Sequence, residues 1–152
     1  MAVTLLAPAW AWQGELRNWF GDPFFQVRAA DPACPLPMGP FTDRRGRDEQ
    51  AHRRAEKGTT CWLAGQCDRP KAYLYDADIA EGVKKAFAQT DRFRSSTLWV
   101  TVQGRVVYIE GCAGEGGVAA GTEALVRQVR YVDQAIAIVR KPGDKVPPYR
   151  LR

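Results

Sequence analysis

The sequence predicts an α+β fold. It reads as a single small domain in the order α-β-β-α-β, with helices packed on one face of a three-stranded mixed sheet, plus an irregular, disulfide-linked N-terminal extension. Three observations predict it. Residues 97–111, TLWVTVQGRVVYIEG, alternate as a hairpin about Gly104-Arg105. Residues 78–90 and 117–130 each carry an apolar stripe at helical spacing. Residues 132–139, VDQAIAIV, read as a strand that is apolar on both faces. The chain then divides into a signal peptide remnant (1–11), an extension with one charged helix (12–77), the domain itself (78–140) and a basic, proline-containing tail (141–152).

The totals bound the answer. With 152 residues, 45% hydrophobic and 26% charged, the chain has material for one globular domain and an extension, and it is too apolar to be disordered throughout. Lysine and arginine number 22 against 17 acidic residues, a formal charge of +5. That excess permits contact with anionic lipid or nucleic acid without demanding it. No apolar run reaches the roughly 18 residues of a spanning helix.

In chain order, residues 1–11, MAVTLLAPAWA, resemble the apolar region of a secretory signal, and Ala9-Trp10-Ala11 fits the cleavage pattern, although no basic n-region precedes it. Trp12, Trp19, Phe20, Phe24 and Phe25 follow closely. Leu16, Trp19 and Phe20 have helical spacing, so residues 14–20 are expected to form a short helix stopped at Gly21-Asp22-Pro23. These aromatics either anchor the chain at a lipid interface or cover a sheet face; the absence of a basic polar face favours the cover. Pro32, Pro35, Pro37 and Pro40 exclude helix or central strand from the next stretch.

Residues 43–57, DRRGRDEQAHRRAEK, form a charged helix supported by Glu49 and Arg53 at i, i+4. Its apolar positions are Ala51 and Ala55, so it buries little. Arg44, Arg45, Arg47, Arg53 and Arg54 could meet phosphates, but Asp43, Asp48, Glu49 and Glu56 interrupt them and favour a solvated helix. His52, the one histidine, has no nucleophile or metal ligand near it in sequence.

Four cysteines allow three pairings. Cys61 and Cys67 are spaced C-x₅-C, outside the spacing of zinc modules, and a disulfide fits better. Cys34 and Cys112 would form the other bridge, tying the extension to the end of the hairpin. Free, buried thiols are the alternative for a cytosolic protein.

The first helix of the domain, 78–90, starts at a D-x-x-E pair, Asp78 and Glu81. Ile79, Val83, Ala86 and Phe87 face inward, and Lys84 and Lys85 face out. In the hairpin, Gly104 at the first central position suits a type II′ turn. That centring opposes Val102 to Val107, Val100 to Ile109 and Leu98 to Gly111 on one aliphatic face. Trp99, Thr101, Tyr108 and Glu110 take the other face. The second helix, 117–130, turns Val118, Leu125, Val126 and Val129 inward. The tail, KPGDKVPPYRLR, reads as extended and solvated.

From residue 78 onward this half resembles a BON domain, a small module of bacterial envelope proteins. The hairpin pattern of that family, V-x-V-x-N-G-x-V-x-L-x-G, is matched by Val100, Val102, Val107, Ile109 and Gly111, with Gly104-Arg105 in place of Asn-Gly. The following helix and a V-x-x-A strand start at Val132 and Ala135 also fit. The resemblance spans roughly residues 78–140. It implies a non-enzymatic, periplasmic or outer-membrane-associated binding module with phospholipid as ligand, no cofactor and no catalytic residues.

The residues themselves agree. They bring together no catalytic triad, metal-ligand cluster or phosphate-binding loop. Candidate contacts to anionic phospholipid or an envelope protein are Lys84, Lys85, Arg127, Arg130, Arg140, Lys141 and Lys145. Two other readings stay open. One is a structural subunit of an envelope complex that uses its aromatics as an interface. The other is RNA binding through Gly114-Glu115-Gly116-Gly117, a formal GxxG; against it, this loop joins a strand to a helix and carries an acid.

Overall fold

The computed structural model describes residues 14–152, so the signal-like stretch 1–11 and Trp12 lie outside the described residues. The elements run β1 (Phe24–Ala29), α1 (Arg44–Glu56), α2 (Thr59–Leu63), a 3-10 turn (Ala72–Tyr75), α3 (Asp76–Ala88), β2 (Thr97–Gln103), β3 (Val106–Cys112), α4 (Val118–Val126) and β4 (Gln134–Arg140). The class is α+β as expected, but the mixed sheet has four strands in the order β1-β2-β3-β4. β1 and β3 each pair antiparallel with β2, and β4 pairs parallel with β3.

The hairpin register is the one the alternation predicts: Val102 opposes Val107, Val100 opposes Ile109, and Leu98 opposes the buried Gly111. This face is the core. Ile79, Val83 and Phe87 of α3 and Val118 and Val126 of α4 close over it, fully or almost fully buried. Leu125 and Val129 pack at its rim.

The turn type differs from expectation. Gly104 has φ 58° and Arg105 has φ 69°, so both central residues are left-handed and the turn is type I′, not II′. Glycine adopts that region freely, but at Arg105 it costs roughly 1–2 kcal/mol. The reason lies on α3. The buried Asp76 carboxylate accepts the Gly104 N–H at 2.7 Å and the Arg105 N–H at 2.8 Å. Arg105 then donates from Nε to the Tyr131 carbonyl at 2.8 Å.

Other expectations are corrected. The extension is not irregular throughout, because Phe24–Ala29 joins the sheet as β1 and turns Phe25 and Val27 toward the core. Residues 14–20 form no helix. Arg17 exchanges both backbone hydrogen bonds with Thr42 at 3.0 Å, and the Trp19 indole donates to the Thr42 carbonyl at 2.6 Å. α3 begins two residues before the D-x-x-E pair; Asp78 pairs with Arg69 and Glu81 with Lys84, so neither caps the helix. α4 stops at Val126 rather than near 130, because the chain must turn back through Tyr131, at φ 71°, to lay β4 parallel to β3. In α1, Glu49 takes Arg45, not Arg53, as its partner.

Both cysteine pairs are disulfides: Cys34–Cys112, with Cα atoms 5.9 Å apart, and Cys61–Cys67 at 5.4 Å. The first explains why the tail is not wholly solvated. Residues 141–146 are exposed, but Tyr149 is buried against both sulfurs, and its hydroxyl donates to the Pro35 carbonyl at 2.8 Å. Leu151 bridges to Pro37, so tail and extension cross as a short antiparallel pair.

Two stability outcomes follow. Asp76→Ala lowers unfolding free energy by on the order of 3 kcal/mol in urea titrations, and Asp76→Asn by less, since an amide oxygen still accepts one of the two N–H groups. Replacing Cys34 and Cys112 together with alanine costs about 4.5 kcal/mol in the chain-entropy model, against about 2 kcal/mol for the shorter Cys61–Cys67 loop.

Candidate functional site

The sheet is apolar on one side and polar on the other, and the two sides are covered differently. α1 lies across the polar side, yet none of its side chains is buried. A helix that is polar all round has no apolar stripe to dock with, so it must be held by specific contacts. Asp43 caps its first turn, accepting the Gly46 N–H at 2.8 Å. The backbone at Gly46 passes so close to Thr42 that any Cβ there would clash with the threonine hydroxyl. At the other end the Lys57 carbonyl accepts the Ala72 N–H at 2.9 Å.

A further anchor is an ion pair, a contact of charge in which Asp22 Oδ1 accepts no hydrogen bond among the described residues. Arg54 Nη2 lies 2.6 Å from Oδ1 of Asp22, whose side chain is 1% exposed. The guanidinium sits over Phe20 and Tyr73, 4.7 and 4.8 Å from the ring centroids. Asp22 also accepts the Gln103 side-chain amide at 2.7 Å, so one buried carboxylate joins α1 to the end of β2. Removing either partner of such a pair leaves an uncompensated buried charge. In the sequence Asp22 stands within a Gly21-Asp22-Pro23 stop, and nothing local shows that it meets Arg54.

Held this way, α1 stands off the sheet and roofs a groove of about 640 Å³. Gln50, Arg53 and Lys57 line it from the helix, and Gln103, Tyr108 and Gln134 from the sheet. A second chamber of about 290 Å³ adjoins it toward the Cys34–Cys112 end, sharing Gln50, Gln103 and Tyr108. Thr101, Glu110, Phe41, Ile138 and Tyr149 are among its walls. Thr101 is 3% exposed, and its hydroxyl has no hydrogen-bond partner among the described residues. Burial holds the Glu110 carboxyl above the usual carboxylate range and raises the Tyr149 phenol as well.

The cations proposed from sequence do not converge. Lys84 and Lys85 are exposed on α3, on the far side of the sheet from α1, and Lys84 is paired with Glu81. Arg127 pairs with Glu123, and Arg130 stacks on Tyr131. Arg140 ends β4, and Lys141 and Lys145 follow it, a strand length of roughly 20 Å from the end of β4 that Arg130 precedes. Of the α1 arginines, Arg53 and Arg54 reach the groove, while Arg45 and Arg47 are tied to Glu49 and Asp48. His52 is exposed beside Glu56. The Gly114–Gly117 loop joins β3 to α4, with Glu115 in solvent.

A second surface begins where α1 ends. The Cys61–Cys67 loop carries α2, and at its tip Trp62 is 44% and Leu63 78% exposed. Lys57 precedes this loop and Lys71 follows it, Lys71 bonding the Thr59 hydroxyl at 2.9 Å. Among the described residues no helix is long and apolar enough to cross a membrane, and no group of histidine, cysteine and acidic side chains is placed to hold a metal ion.

No protein-family model, curated protein or solved structure matches the chain.

The Glu110 shift has a measurable sign. The folded chain keeps a proton that the unfolded chain gives up, so this group makes stability fall as pH rises between its unfolded and folded values. Asp76, also raised by burial, acts in the same direction. Glu110→Gln removes the Glu110 contribution and leaves that of Asp76. Thermal melts from about pH 4 to about pH 7 therefore decline less steeply for the variant than for the parent, and the variant melts higher at neutral pH.

Proposed function

We propose that this chain is a non-enzymatic binding module of a bacterial cell envelope, periplasmic or outer-membrane-associated, that docks peripherally on anionic phospholipid. The observation that carries the reading is the apolar tip Trp62-Leu63, presented to solvent on a disulfide-closed loop, with Lys71 bonded to the same segment at Thr59. Tryptophan favours the headgroup depth of a bilayer, where its ring is apolar and its N–H stays wet. The Cys61–Cys67 bridge holds the loop before contact, which reduces the ordering cost of docking. Each nearby lysine or arginine adds about 1 kcal/mol at an anionic surface.

Other features support the same reading. Two disulfides suit an oxidising compartment. The order α3-β2-β3-α4-β4 is that of the module which residues 78–140 resemble. The proposed contact differs from the scattered cations named from sequence, because it gathers aromatic, aliphatic and basic groups within a single loop and its flanks.

Flotation with vesicles tests it. The chain is expected to float with phosphatidylglycerol-containing vesicles, to stay behind with neutral ones, and to lose at least tenfold in affinity as Trp62→Ser/Leu63→Ser. Both side chains are exposed, so the double variant keeps its melting temperature. Equal flotation on both vesicle types, or none on either, removes the lipid reading and leaves docking on an envelope protein through the same loop.

A further inference from the structure

We propose that the groove beneath α1 is a binding site for a phosphorylated sugar or polyol, with the phosphate held by Arg53 and Lys57 and the hydroxyls met by Gln50, Gln103 and Gln134. This goes beyond the membrane reading, which uses a different surface.

The first argument is energetic. A buried ion pair stabilises little compared with apolar packing of the same volume. Yet Arg54 and Asp22 hold α1 against the sheet with no buried side chain on the helix itself. Such an arrangement keeps a polar helix at a set distance from a polar sheet face. The space so kept, about 640 Å³, lies within the usual range for small-molecule sites.

The second argument is charge. Arg45, Arg47 and Arg54 on α1 each have a carboxylate partner. Arg53 and Lys57, one helical turn apart, line the groove and have none among the described residues. Glu49 also lines the groove, and its carboxylate is engaged by Arg45. Two cations at the end of α1, one a planar fork and one a point charge, suit a phosphate better than a single carboxylate.

The third argument is the polar lining. Three glutamine side chains offer donors and acceptors in a wall that also holds Tyr73 and Tyr108, whose rings can stack on a sugar face. Asp22 engages the amide nitrogen of Gln103, which fixes that side chain and leaves its oxygen as an acceptor. In the adjoining chamber Thr101 offers a buried hydroxyl with no hydrogen-bond partner among the described residues, an atom that a ligand hydroxyl would satisfy.

The shared chemistry, a phosphate on a hydroxylated body, belongs both to soluble sugar phosphates and to the headgroup of a glycerophospholipid, and the test separates them. Titration calorimetry and amide NMR use glycerol phosphate, glucose phosphate, glucose and inorganic phosphate as probes. At least one phosphorylated polyol is expected to bind and to shift the Gln103 and Tyr108 signals, with glucose and inorganic phosphate at least tenfold weaker. Arg53→Gln/Lys57→Gln is expected to weaken that binding at least tenfold with melting unchanged, and Trp62→Ser/Leu63→Ser to leave it intact. Displacement of the chain from phosphatidylglycerol vesicles by the soluble probe identifies the headgroup as the natural source; simultaneous binding of probe and vesicle identifies a soluble ligand. Absence of Gln103 and Tyr108 shifts with every phosphorylated probe overturns the site, and inorganic phosphate binding as tightly as the sugar phosphates overturns the polyol half. Either failure can occur with flotation intact, so it is distinguishable from failure of the membrane reading.

Discussion

The carboxylate of Asp76 is the point on which the fold turns. It sits at the first position of α3 and accepts both amides of the hairpin turn, so it joins the start of a helix to the tip of a hairpin distant in sequence. Those two bonds hold Arg105 in a left-handed conformation that its side chain disfavours. Once held, Arg105 reaches the carbonyl of Tyr131 and lies over the ring of Tyr75, so the α4–β4 connection is drawn to the same place. A two-residue turn sets the register of every pair behind it, and a slip by one residue would exchange the two faces of the sheet. The burial that lifts the Asp76 carboxyl above its ordinary range is the cost of this junction, only partly offset by the two amides.

From that register comes a molecule whose two sides are built on different physics. One side is close-packed aliphatic: Val100, Val102, Val107 and Ile109 beneath α3 and α4. The other side is held by directional contacts, namely the Asp22–Arg54 pair, the Asp43 cap, the Arg17–Thr42 bridge and the Cys34–Cys112 bond with Tyr149 on its sulfurs. Arg28 fastens the edge of the sheet to the helical side. From the edge strand β1 it donates to the carbonyls of Phe87, Thr90 and Arg92 where α3 ends, a place where the helix dipole favours a cation.

What could be read from the sequence follows from this split. α3, the hairpin and the inward face of α4 were legible because close packing imposes a period, and Ile79, Val83, Phe87 and the paired valines show it. The cysteine pairs were legible for another reason: proximity picks out Cys61 with Cys67, and the remainder follows. β1 was hidden because Phe24 and Phe25 stand side by side and a bulge between Gln26 and Arg28 breaks the alternation. The turn type was hidden because Asp76, not the Gly-Arg pair itself, selects it. Tyr149 was hidden in a tail whose prolines and charges look solvated, and the disulfide it covers is made elsewhere. The groove was least visible of all. Its wall joins Gln50, Gln103 and Gln134, three residues with no shared motif, brought together by an ion pair between partners far apart in the chain.

This division of labour bears on how such a small chain can keep an open groove at all. Apolar packing is non-directional and tends to close space, so a groove lined by it would need to be filled or would shrink. Directional bonds fix distance instead. The sheet's aliphatic side carries the hydrophobic stabilisation, and the Cys34–Cys112 disulfide, at one end of the polar side, lowers the entropy of the unfolded chain. The elements over that side are thus released from any need to bury surface, and α1 can remain polar on every face. A helix tied at its cap, its end and one arginine is held against translation as well as rotation, which is the condition for presenting Arg53 and Lys57 to a ligand at constant spacing.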